Sequence, residues 1–184
     1  MCFTLAHTGM SLLLQGTMGN IEAKFSENPT TLQWDTTVGT IVGSIIPDME
    51  PASYMLCHKL IGYRPPCGHF IFHSIVLAPL WIPVFSTMTY LGLKKIKGLN
   101  STNDISFKNV LTGFTIGWCT HFLTDALVHT PKQQWPFWPL STNNPFYQHL
   151  FTRTDGNIIG LLSFFVFVTL TIYYFFQNKS LKYI

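Results

Sequence analysis

Gly117-Trp-Cys-Thr-His121-Phe-Leu-Thr-Asp125-Ala-Leu-Val-His129 carries three side chains of metal-ligand type through an otherwise apolar run of membrane-helix character. An ionisable group at the centre of a bilayer costs about 3 kcal/mol on insertion scales, so a histidine and an aspartate in such a helix point to a functional site with partners nearby. His121 and Asp125 stand four residues apart, which places them on one helix face, where both reach a single ion.

The surrounding chain fits that reading. Its 184 residues suffice for one domain, and 47% of them are apolar against 10% charged. With a mean hydropathy of +0.27, the balance is unusual for a soluble protein and reads as membrane-embedded. Phe, with 16 copies, and Trp, with 5, exceed what a compact core needs, and aromatic belts at the membrane interface account for part of the excess. The net charge of +3 is modest, and no Lys/Arg run interleaved with aromatics argues for a nucleic-acid partner. Cys2, Cys57, Cys67 and Cys119 contain no C-x-x-C pair and fit neither a zinc knuckle nor a disulfide framework. Residues 1–14 lack the charged start and small-residue cleavage site of a signal peptide, so targeting is expected to use an internal, uncleaved span. No G-x-S-x-G, P-loop or G-x-G-x-x-G motif is present, which argues against serine and nucleotide enzymes.

Two runs meet the length rule for spanning helices, Phe70–Leu93 and Ile158–Phe176; at 1.5 Å per residue each crosses about 30 Å. A third, Phe107–Val128, is punctuated by Thr112, Thr115, Thr120, His121, Thr124 and Asp125, as suits a helix facing protein partners. Thr37–Ile46 is apolar and Gly-rich but short, which predicts a buried or re-entrant helix ended by Pro47, and Phe3–Leu14 is similar. Polar connectors are expected at Gly19–Asp35, Pro51–Cys67, Gly98–Ser106 and in the Trp/Pro-rich loop Thr130–Phe146. The expected fold is all-α: one polytopic helical membrane domain over residues 1–184, with three or more transmembrane helices plus short N-terminal helices. Lys94, Lys95, Lys97 and Lys108 flank one short loop, and Lys179 and Lys182 follow the last span, which orients these segments to the cytoplasm. His69 and His73 then enter one helix at the depth where His121, Asp125 and His129 leave its antiparallel neighbour.

His7, Asp48, Glu50, His69, His73, His121, Asp125, His129 and His149 make a dense set of nitrogen and oxygen donors. A divalent metal suits them, zinc first and manganese or iron as alternatives, because no thiolate belongs to the set. A catalytic ion keeps one position open for water, and the number of donors also fits two ions about 3.5–4 Å apart with Asp125 or Asp48 bridging. Each element has a plainer reading too. His121-x-x-x-Asp125 fits a hydrogen-bonded pair that locks helix packing, Asp48 fits a cap for the next helix, and His7 fits a satisfied buried histidine. His58, beside Lys59, reads as solvent-facing, and Trp135-Pro-Phe-Trp138-Pro as an interfacial belt or the wall of a lipid-accessible pocket.

Four motifs in order complete the pattern: Phe3-Thr-Leu-Ala-His7; Val42-Gly-Ser-Ile-Ile-Pro47-Asp48-Met-Glu50; Gly68-His69 through His73-Ser74; and Thr120-His121-Phe-Leu-Thr-Asp125 followed by a Trp-Pro segment. Together they resemble the membrane-bound metal-dependent hydrolases of the YdjM type. The N-terminal block is similar as well to a sister family of bacterial membrane proteins with a Phe-Thr-Leu-x-His start and a Gly-Ser-x-x-Pro-Asp signature. Both groups resemble zinc-dependent phospholipase C in their sparse H-x-x-x-D pattern, an analogy at the level of fold. The resemblance implies metal ligation by His7, Asp48, His73, His121 and Asp125, and a multi-pass location in a bacterial inner membrane.

The function expected is hydrolysis of an ester or phosphoester, by metal-activated water, near the extracytoplasmic interface, with membrane lipid as partner and a lipid-borne molecule as substrate. Glu50 and His69 are the candidates for proton transfer. Two alternatives come from other classes. A metal or proton transporter would line a path with these groups, and a non-catalytic membrane scaffold would leave them apart.

Overall fold

The computed structural model describes residues 4–27, 29–63, 69, 71–97, 105–130, 133–147 and scattered positions from 155 to 169. The helices are α1 (Thr4–Glu22), α2 (Trp34–Ile45), α3 (Met49–Ile61), α4 (Ala78–Lys97) and α5 (Phe107–Val128), with 3-10 turns at Thr30–Leu32 and Ile46–Asp48. Among the described residues there is no strand, only a bridge between His69 and Gln134. The class is all-α.

α5 is the axis of the molecule, with α1, α2 and α4 packed around it. Its bounds coincide with the polar-punctuated run read from the sequence. The first turn is capped from another helix: the buried carboxylate of Asp35, at the start of α2, accepts hydrogen bonds from the Ser106 N–H at 2.9 Å and the Asn109 amide at 3.0 Å. Helix starts leave N–H groups without intrahelical partners, and here a long-range aspartate takes the place of a local cap.

Two Gly-x-x-x-Gly pairs set the closest packing. Gly39 and Gly43 on α2 face Gly113 and Gly117 on α5. A Cβ added at Gly39 would land on the Val110 carbonyl, at Gly43 on the Phe114 carbonyl, at Gly113 on the Thr36 carbonyl and at Gly117 on the Thr40 carbonyl. The small-residue pattern thus lets the two backbones touch. It also delivers the end of α2, with Ser44 and Asp48, to the level of His121. Pro47, which has no N–H to continue the ladder, closes α2 and turns the chain into α3. α3 ends at Gly62, whose φ of 70° is left-handed, the usual stop for a helix.

On the other side of α5, Ala78, Phe114, Trp118, Phe122 and Ala126 form the apolar core, with Ile82, Phe85 and Phe146 packed against it. Trp118 and Phe122 stack with ring centroids 5.2 Å apart.

Several expectations are corrected. The helix expected from Phe70 begins at Ala78 and runs to Lys97, and residues 71–77 form turns. The reason is a long-range hydrogen bond. The Glu50 carboxylate takes the N–H groups of Ile71 (2.7 Å) and Phe72 (3.0 Å), and the Trp81 indole donates to the Ile71 carbonyl at 3.0 Å, which pins the segment in a loop. The connector expected over Pro51–Cys67 is helical as far as Ile61, and α1 runs well beyond Leu14. His58 is exposed, as expected.

The spans expected at Phe70–Leu93 and Phe107–Val128 are not met either: no helix among the described residues is long and apolar enough to cross a membrane. α5 gives much of its length to Thr, Gly, His and Asp. α4 loses the apolar residues before Ala78 to the loop and ends on lysines. The run Ile158–Phe176 lies largely outside the described residues; Ile158, Ile159 and Leu162 within it are helical and exposed.

Candidate metal centre

His121 is fully buried, and its ring is fixed from behind. Nδ1 lies 2.7 Å from the Ser44 main-chain oxygen. A carbonyl only accepts, so Nδ1 carries the proton and Nε2 presents a lone pair forwards. His73 is held the same way from a different element. Its Nδ1 donates to Glu50 at 3.1 Å, so that in the neutral ring, the form that binds a metal, the lone pair is on Nε2. These two Nε2 atoms face each other at 3.1 Å.

Asp125 lies between them. It is wholly buried, and its Oδ2 is 3.3 Å from His73 Nε2 and 3.4 Å from His121 Nε2. Oδ1 is 3.2 Å from His7 Nε2 and 3.5 Å from His129 Nδ1. Neither Asp125 oxygen accepts a hydrogen bond in this arrangement, and neither does Asp48 Oδ1. Asp48 itself is buried and is oriented by Thr4, whose hydroxyl donates to Oδ2 at 2.6 Å; Oδ1 then lies 3.8 Å from His121 Nε2.

His7 comes from α1. Thr124 turns its hydroxyl towards the carbonyls of Thr120 (3.0 Å) and His121 (2.9 Å), so the His7 Nδ1 at 2.7 Å is the donor to it. The His7 ring stacks on His121 with centroids 3.9 Å apart. His69 sits in the loop, with Nδ1 3.3 Å from His73 Nε2 and 3.9 Å from Asp125 Oδ2. Burial, and then the neighbouring His73, push its pKa down to about 2 against the opposing pull of Asp125, so the ring is neutral.

Asp48, His73, His121 and Asp125 form one set whose ligand atoms all lie within 4.8 Å of one another, and His69, Asp125 and His129 form a second. Two ligands each about 2.1 Å from a tetrahedral ion sit roughly 3.4 Å apart, which is the spacing of Asp125 Oδ2 to both imidazoles. A buried carboxylate without hydrogen bonds costs several kcal/mol unless a cation offsets it. A proton on one Nε2 serves one acceptor at a time, whereas a divalent ion serves all four. The donor chemistry therefore fits a metal ion.

Of the residues named from the sequence, His7, Asp48, His73, His121 and Asp125 converge, and His69 and His129 join them. Glu50 also lies beside them, with its carboxylate taken up by Ile71, Phe72, His73 and, at 3.0 Å, the Tyr54 hydroxyl. His149 lies outside the described residues. Sequence reasoning missed the orienting groups: the Ser44 carbonyl, Thr4, Thr124 and Tyr54. It also missed Gln134, fully buried beside His69 on the backbone bridge. Thr124, between His121 and Asp125, was the legible one, since a polar residue on that helix needs a partner.

The Trp/Pro-rich loop straps this side of the centre. Trp135 N–H donates to the His69 carbonyl at 2.9 Å, Ile75 N–H to the Pro136 carbonyl at 2.9 Å, and the Ser74 hydroxyl to the Trp138 carbonyl.

No curated protein and no solved structure matches this chain. The model of one family does, that of the YdjM inner membrane protein, over residues 1–182. Its description gives a location and no reaction. With nearly every residue inside that match, the chain belongs to the YdjM inner membrane protein family.

Proposed function

We propose that the protein is a membrane-bound, metal-dependent hydrolase whose ion is held by Asp48, His73, His121 and Asp125. One observation carries the reading: the Nε2 atoms of His73 and His121 face each other at 3.1 Å, with Asp125 Oδ2 3.3 and 3.4 Å from them, inside a buried set of four ligand atoms within 4.8 Å of one another. The nitrogen and oxygen donor set favours zinc over softer metals, with manganese or iron as substitutes.

Asp48, His73, His121 and Asp125 would hold the ion, which when bound would lower the pKa of a coordinated water towards neutrality and so supply a nucleophile for an ester or phosphoester. Water oxygen bonds to the acyl carbon or phosphorus, the ester oxygen leaves with its electron pair, and the water proton ends on the released alcohol. Glu50, through His73 Nδ1, and Ser44, through His121 Nδ1, set ring orientation and tautomer, as groups behind metal-bound histidines commonly do. This reading makes Glu50 a positioning residue.

The family's inner-membrane location favours a lipid-borne substrate. Leu80, Val84, Met88 and Leu91 leave one apolar stripe of α4 exposed, and Leu13, Met18 and Ile21 do the same on α1. Contiguous exposed apolar surface of this kind suits contact with acyl chains, and a multi-pass arrangement that includes the run Ile158–Phe176 belongs to this proposal. Clustering of the donors at one locus supports a hydrolase above a transporter path, and their convergence counts against a scaffold.

The test is metal analysis of the detergent-purified chain beside His121→Ala and Asp125→Ala. Tightly bound metal near stoichiometry in the wild type and its loss in both variants supports the reading. Equal metal content in all three proteins removes it.

A further inference from the structure

We propose that the centre takes two cations, the second bound by His69 and His129, with Asp125 bridging. The inference rests on the proposed metal site and extends it. Asp125 meets five imidazoles: Oδ2 faces His73, His121 and, at 3.9 Å, His69, and Oδ1 faces His7 and His129. One tetrahedral ion is filled by four ligands, yet more nitrogen donors than that surround this carboxylate. The surplus is not scattered. His69, His129 and Asp125 form their own set, with ligand atoms within 4.8 Å of one another and every member buried.

Both histidines of that set are anchored through the main chain. His129 N–H closes the end of α5 on the Asp125 carbonyl at 2.8 Å, its Nδ1 donates to the same carbonyl at 3.2 Å and so leaves Nε2 as the ligating nitrogen, and the His129 carbonyl accepts from Asn144 at 2.9 Å. Asn144 also donates to the Ala126 carbonyl at 3.0 Å, so the same side chain ties the loop to the helix end. His69 is bonded on both sides: its N–H to the Gln133 carbonyl at 3.1 Å, its carbonyl to the Trp135 N–H at 2.9 Å. The two rings meet edge to face with centroids 4.6 Å apart. Packing alone would be served by apolar rings. His69 stands 3.9 Å from Asp125 Oδ2 and His129 3.5 Å from Oδ1, so these two polar rings address both oxygens of a buried carboxylate, an arrangement that suits a shared cation.

The assignment gives His69 a ligand role in place of proton transfer. It also narrows the substrate class. Paired ions about 3.5–4 Å apart clamp the attacking and the leaving oxygen of an in-line displacement, which favours a phosphoester over a carboxylic ester.

Manganese is the probe, added as Mn2+ to the metal-stripped full chain in detergent, with content measured by elemental analysis and coupling by electron paramagnetic resonance. The wild type is expected to bind two equivalents and give a spin-coupled spectrum. His69→Ala and His129→Ala are expected to retain one equivalent with the uncoupled hyperfine pattern. A wild type that binds a single uncoupled ion overturns the second site and leaves the first standing; a wild type that binds none overturns both. Retention of two equivalents in His69→Ala and His129→Ala overturns the ligand assignment. Circular dichroism checks the fold of each variant, and where a variant does not fold the wild-type spectrum decides alone.

Discussion

The Nδ1 of His121 donates to the main-chain oxygen of Ser44 at 2.7 Å, across 77 positions of sequence. That bond exists because Gly43 and Gly117 let α2 and α5 meet backbone to backbone. The orientation of a proposed metal ligand is thus tied to a helix interface that has no room for a methyl group.

Gly117→Ala is expected to force the helices apart, since its Cβ would meet the Thr40 carbonyl and the Ser44 N–H. Overpacking of this kind costs roughly 1–3 kcal/mol, and metal affinity should fall with it. Gly16→Ala is the contrast: it lies inside α1 with nothing within 4 Å of the added Cβ, so it should stabilise by about 0.5–1 kcal/mol. Thermal unfolding of the two variants checks both; a Gly117→Ala protein as stable and as metal-rich as wild type would contradict the interface argument.

Glu50→Gln separates positioning from proton transfer. If Glu50 holds His73 in its tautomer, the variant should bind metal about 10–100-fold more weakly, with the loss of turnover recovered at saturating metal. A variant with wild-type metal affinity and no turnover would return Glu50 to the proton-transfer role.

Metal removal should destabilise the chain. At a free ion concentration of about 100 times Kd, linkage adds about 2.7 kcal/mol, and for a chain of this size that corresponds to roughly 5–10 °C in Tm. A chelator titration followed by thermal unfolding measures the shift. Asp125→Asn, which removes the charge the ion offsets, should show little response to the chelator.

Acid sensitivity should have a component outside the centre. The Thr31 hydroxyl, the Thr31 N–H and the Thr30 N–H donate to the Glu22 carboxylate and hold it below the usual carboxylate range. A lowered folded-state pKa stabilises above the unfolded value of about 4.3 and is lost as pH falls through the folded value. Glu22→Gln should therefore lose less Tm than wild type between pH 6 and pH 3. Equal losses would show that the contact between α1 and the turn at Thr30–Leu32 does not contribute.

The sequence was most legible where structure is local. The bounds of α5 follow from its apolar run, and the spacing of His121 and Asp125 places both on one face. The order of motifs brought in His7, Asp48 and His73. What failed was long-range. Nothing in Ile71–Leu77 shows that Glu50 will claim two of its N–H groups, so an apolar stretch that reads as helix folds as a loop. The Ser44 carbonyl is invisible to any residue-type argument, because every residue has one. The glycine pairs were visible on each helix, but only their mutual facing gives them meaning.

His7 and Thr124 hydrogen-bond across 117 positions, and His7 also stacks on His121 of the same distant helix. A ribosome must therefore deliver α5 before the first of these histidines finds its place. Completion of the proposed metal site is in consequence a late event in folding.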